Sequence, residues 1–125
     1  MKLKNQVCSL ELSKKLKVLG VEQESLFYWL YSFGNNNYTL LEKTATNKLH
    51  DEDISAFTVA ELGDILPSAS VVLSLSFEKL DEYHWVTYSK RDRHIFMVGG
   101  IKSEANTRAK MLIYLIENEL TVKPK

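Results

Sequence analysis

Cysteine is nearly absent from the chain. Cys8 stands alone among 125 residues, so no internal disulfide can form, and the disulfide-stapled class of small secreted domains is excluded. Net charge is lacking too. Sixteen Lys and Arg offset sixteen Asp and Glu, which removes the global field that draws proteins onto nucleic acid or anionic membranes and leaves only local patches to do so. The same balance leaves little repulsion between copies and permits self-association. No apolar run approaches the length of a membrane span, and the start, Met1-Lys2-Leu3-Lys4-Asn5-Gln6, lacks the apolar stretch of a signal peptide. A cytoplasmic protein without membrane association is the expectation. Internal repeats, low-complexity tracts and long linkers are also missing. A hydrophobic content of 45% is enough for one core, so a single domain over 1–125 is expected.

What is present reads as alternating helices and hairpins. Ser9 is placed as an N-cap ahead of Leu12, Leu16 and Leu19 on one helical stripe, and Gly20 followed by Val21 has the chemistry of a Schellman stop. Ser25 to Phe33 is dense in aromatic residues and reads as a strand, turned by Gly34-Asn35-Asn36-Asn37 into a second strand at Tyr38 to Leu41. Residues 45–53 have no period and read as a solvated loop. Thr58-Val59-Ala60-Glu61 matches a capping box, and Pro67 marks the end of a short helix. Val71, Leu73, Leu75 and Phe77 alternate with Val72, Ser74, Ser76 and Glu78. With Tyr83 to Ser89 and His94 to Val98, they predict a three-stranded antiparallel meander. The last helix opens near Ser103 and lines up Ala105, Ala109, Leu112, Ile113, Ile116 and Leu120. The expected fold class is α+β: an antiparallel sheet of about five strands with about three helices, in the order α-β-β-α-β-β-β-α.

Three stretches, VCSLELSKKLKVLGVEQESLFYW at 7–29, ISAFTVAELGDILP at 54–67 and ANTRAKMLIYLIENEL at 105–120, resemble a family of short uncharacterised bacterial proteins, many carried by prophages or mobile elements. The resemblance implies a bacterial, intracellular setting and carries no catalytic residues or substrate. Ser9 to Trp29 also looks like the opening of a MerR-type helix-turn-helix, which would imply DNA binding. It departs from that pattern where the recognition segment holds Glu22 and Glu24 and no arginine, although DNA phosphates call for cations there.

Candidate sites meet simpler explanations. Cys8 with His50, His84 or His94 has the residue types of a nucleophile and base, yet a small apolar residue just ahead of a helix is the ordinary packing role. His50-Asp51-Glu52-Asp53 holds metal-ligand types without the alternating spacing or turn glycine of a calcium loop. Met97-Val98-Gly99-Gly100 leads towards a helix as phosphate-binding turns do, but lacks G-x-G-x-x-G, so a tight strand-to-helix turn is expected.

The aromatic residues are the unusual feature. Phe27, Trp29, Tyr31 and Phe33 alternate with Leu26, Tyr28 and Leu30, so neither face of that strand is polar and both need cover from a helix or a second copy. The same rings with Trp85, beside Lys90, Arg91, Arg93 and His94, have the makings of a base-stacking platform. Interaction candidates are therefore Tyr28, Trp29, Tyr31, Trp85, Arg91 and Arg93. The expectation is a non-enzymatic accessory protein without cofactor or metal, acting through contacts with a protein partner or with itself as a homodimer. The alternative is a small nucleic-acid-binding module using the basic turn from Lys90 to His94.

Overall fold

A computed structural model describes residues 2–43, 50–66, 74–90 and 93–118. A 3-10 turn at Leu3–Asn5 precedes α1 (Leu10–Val18), β1 (Phe27–Ser32), β2 (Asn37–Glu42), β3 (Ile54–Ala56) and α2 (Val59–Ile65). Then come β4 (Ser74–Leu80), β5 (Tyr83–Lys90), β6 (Arg93–Ile101) and α3 (Glu104–Glu117). None of the described helices is long and apolar enough to cross a membrane.

Helix ends fall where local chemistry puts them. The Ser9 side chain accepts from the Leu12 amide at the start of α1. At its end Gly20 takes φ 91°, while its own amide donates to the Lys17 carbonyl and the Val21 amide to the Leu16 carbonyl. That is the double closure of a Schellman motif, with Val21 and Leu16 both buried beneath it. Thr58 and Glu61 form the reciprocal capping box of α2. Helix α1 gives way to β1 through residues 21–26, which form no helix. The helix-turn-helix likeness therefore ends at Gly20, because 22–25 forms no second helix.

The expected single sheet of about five strands is corrected to two three-stranded antiparallel sheets, ordered β2-β1-β3 and β4-β5-β6. The additional strand, β3, pairs with the free side of β1 through Phe27↔Ala56, Tyr28↔Ser55 and Trp29↔Ile54. Three residues are too few for a period-two signal, and the acidic run before them looks like loop. Asp53 carries the pairing one step further. Its buried carboxylate accepts from the Tyr31 amide at 2.9 Å and the His50 amide at 2.8 Å, taking over where a strand carbonyl would have served. Beyond β3, the Cys8 amide donates to the Phe57 carbonyl, and Val7 bridges Thr58.

Helix α3 sits between layers, against α1 and α2 on one side and β5 and β6 on the other. Its expected stripe of Ala105, Ala109, Leu112, Ile113 and Ile116 is buried, and so are Thr107, Met111 and Leu115 on a second face. Leu120 lies outside the described residues. The core gathers around this helix from Cys8, Leu16, Val21, Phe57, Leu62, Val86 and Tyr88.

Gly99 and Gly100 belong to β6 itself, not to a turn before α3. The register passes from Val86↔Val98 to His84↔Ile101, so β6 spends one extra residue there, and Gly100 takes φ 72° in that bulge. Gly99 faces the Trp85 ring so closely that a Cβ would overlap it.

Candidate functional surfaces

The structure splits the aromatic residues between the two sheets, so the single platform envisaged from sequence does not form. Tyr28 is buried, its hydroxyl donating to the Gln23 carbonyl at 2.9 Å. Trp29 is half-buried between Leu40 and Ile54 in register, with its Nε1 buried and unpartnered among the described residues. Tyr31 meets Phe33 edge-on at 4.9 Å and Tyr38 at 5.1 Å, and Lys14 from α1 stands over the Tyr38 ring. Cover on β1 is thus complete at Tyr28 and partial elsewhere, while Leu26 and Phe33 at its ends stay exposed.

Trp85 lies in the other sheet. Arg91 lies outside the described residues, and Arg93 opens β6 opposite Lys90. Tyr83 and Trp85 occupy the opposite end of β5 from Lys90, so five residues of extended chain, about 17 Å, separate Trp85 from the basic turn.

Strand alternation sorts the second sheet cleanly. Val86 and Tyr88 point into the core under α3, which directs Tyr83, Trp85 and Thr87 to the other face. Cross-strand register adds Leu80, Glu78 and Ser76 from β4 and Met97 from β6. Leu80 is 68% exposed, Met97 53% and Tyr83 41%, while Thr87 in the middle of the face is buried and Trp85 half-buried. The Trp85 ring occupies the space that a side chain at Gly99 would need.

At the same end of the sheet, but on the core side, a half-open cleft of about 850 Å³ lies between the N-terminal turn, the start of α2, the β4–β5 hairpin and the start of α3. Lys79, His84, Lys102, Ser103 and Glu104 line it together with Asn5, Gln6 and Thr58. Its charges are partly committed. Glu104 receives Arg108 at 2.9 Å and lies 4.0 Å from His84 Nδ1, while Lys102 pairs with Glu82 at 3.3 Å. Arg108 braces the wall behind, donating to the Val59 carbonyl at 3.2 Å and lying over the Phe77 ring at 3.9 Å. None of this was legible in sequence, where Lys79, His84 and Lys102 are separated by strand and turn residues without a motif.

Cys8 is fully buried beside the Ser13 hydroxyl at 3.0 Å, and burial pushes its thiol pKa up, the opposite of what a nucleophile needs. In the acidic segment, Asp53 is spent on two backbone amides, and the Lys17 ammonium takes the Asp51 and Asp53 carbonyls. Among the described residues no three His, Cys, Asp or Glu side chains converge as metal ligands would. No family model matches the chain, and neither a curated protein nor a solved structure is significantly similar to it.

Proposed function

We propose that this chain is a non-enzymatic accessory protein that works through protein contacts, and that its contact surface is the open face of β4–β6, occupied by a second copy of the chain. The observation that carries this reading is the exposure of the large apolar side chains Leu80, Tyr83 and Met97 on that face, beside a half-buried Trp85. Two further features favour self-pairing. The chain has no net charge to hold copies apart. Acidic Glu82 also pairs with basic Lys102 at the margin of the face, so a twofold arrangement can exchange that pair between copies. The likeness of 7–29, 54–67 and 105–120 to short bacterial and prophage-borne proteins supports an accessory role in a bacterial cytoplasm.

Sedimentation equilibrium over a concentration series tests the proposal. The wild-type chain should move from monomer towards twice that mass, and Leu80→Glu or Met97→Glu should hold it at monomer mass with unchanged stability. A wild-type chain that stays monomeric at every concentration overturns self-pairing. If a single-stranded oligonucleotide quenches Trp85 fluorescence under the same conditions, the open face belongs to nucleic acid instead.

A further inference from the structure

The cleft beside the β4–β5 hairpin lies on the opposite side of the sheet from the open face, since Lys79 and His84 pair in register on the side that carries Val86. Lys102 is shared between the two, its ammonium also lying 6.0 Å from the centre of the Tyr83 ring at the margin of the open face. We infer that the cleft binds a small molecule through a phosphate group.

The charge inventory supports an anion. Glu104 is the acidic side chain in the wall, and Arg108 already neutralises it at 2.9 Å. Lys79 forms no ion pair among the described residues. Lys102 does pair with Glu82, but both side chains are mostly exposed, so the pair is screened and readily exchanged for a better partner. The cleft then offers two ammonium groups, Lys79 without an ion pair among the described residues and Lys102 in an exchangeable one, with the His84 imidazole beside Glu104 between β4 and the start of α3. Two ammoniums match a dianion such as a phosphate monoester better than they match a single carboxylate. The first turn of α3, a helix of 14 residues that opens in the wall at Ser103, adds its positive end to that field.

Shape points to a small molecule and away from a polymer. A concave volume of about 850 Å³ exceeds what phosphate alone would fill and falls in the range of metabolite-sized pockets. The Asn5 end of the cleft supplies polar groups for the remainder of such a ligand.

Titration of the whole chain with inorganic phosphate, at ionic strength held constant with chloride and followed by amide chemical shifts, tests the assignment. Saturable shifts should concentrate at Lys79, His84, Lys102 and Ser103. A combined Lys79→Ala and Lys102→Ala variant should weaken binding by about tenfold or more, since losing even one of the two charge-assisted hydrogen bonds costs about that much. Lys110→Ala, on the exposed side of α3, should leave it unchanged. Shifts that grow linearly and scatter over surface lysines overturn the assignment. So does full retention of binding in the double variant, or tighter binding to a single-stranded oligonucleotide than to phosphate with the same residues shifting.

Discussion

Gly63→Ala is the most informative single substitution, because two effects of known size oppose each other at that position. Within α2, alanine should gain about 0.8–1 kcal/mol over glycine from backbone entropy alone. Against this, the new Cβ would overlap Nη1 of Arg108, which passes directly over Gly63. The guanidinium must retreat, stretching its 3.2 Å hydrogen bond to the Val59 carbonyl and lifting it from the Phe77 ring at 3.9 Å. A charged hydrogen bond is worth about 1.5–3 kcal/mol and a partly exposed cation–π contact about 0.5–1 kcal/mol. Displacement therefore outweighs propensity, and Gly63→Ala should destabilise by about 1–2 kcal/mol. In an Arg108→Ala background the collision is gone, and the same change should stabilise by about 0.8–1 kcal/mol. Urea unfolding of the four proteins, analysed as a double-mutant cycle, should thus give a coupling of about 2–3 kcal/mol and a change of sign. If Gly63→Ala stabilises equally in both backgrounds, Arg108 does not brace α2 against α3 and β4, and the wall of the cleft is not held as described.

Two further outcomes follow from buried titratable groups. Burial pushes the Tyr88 pKa up to about 12 from its ordinary 10, so its contribution to stability is complete below pH about 10 and is lost as pH rises towards 12. Screening by nearby water brings that contribution to about 1–2 kcal/mol, and Tyr88→Phe should flatten the alkaline limb of a stability-against-pH curve by that amount. An unchanged alkaline limb would show that another group titrates there. The Cys8 thiol, buried and raised in pKa, should react with a thiol reagent only as fast as the protein opens. Labelling in the native state should thus accelerate with urea along with global unfolding, and rapid labelling without denaturant would contradict its burial.

The parts of this fold legible in sequence are those decided within one turn of the chain. Ser9, Thr58 with Glu61, and Ser103 cap the helices because each side chain reaches an amide two or three residues on. Gly20 and Asn36 take positive φ, at 91° and 55°, because a stop and a hairpin need it. The face of α3 that carries Ala105, Ala109 and Leu112 followed from period alone, and so did the β4–β5–β6 meander.

Partners distant in sequence were decided only by the tertiary structure. Three residues at 54–56 become a strand because the free side of β1 offers unpaired amides and Asp53 completes the ladder, which no local pattern announces. That one pairing, with β4–β6 closing on themselves, turns an expected single sheet into two and parts Trp29 and Tyr31 from Trp85. Gly99 looks like turn chemistry until the Trp85 ring is seen to need its place. Lys79, His84 and Lys102 acquire a shared cleft only once a hairpin, a bulged strand and a helix start are brought to one end of the sheet. Hydrogen bonds across a few residues are fixed by the chain's own geometry, whereas strand partners and clefts are chosen by whichever distant surfaces bury one another best.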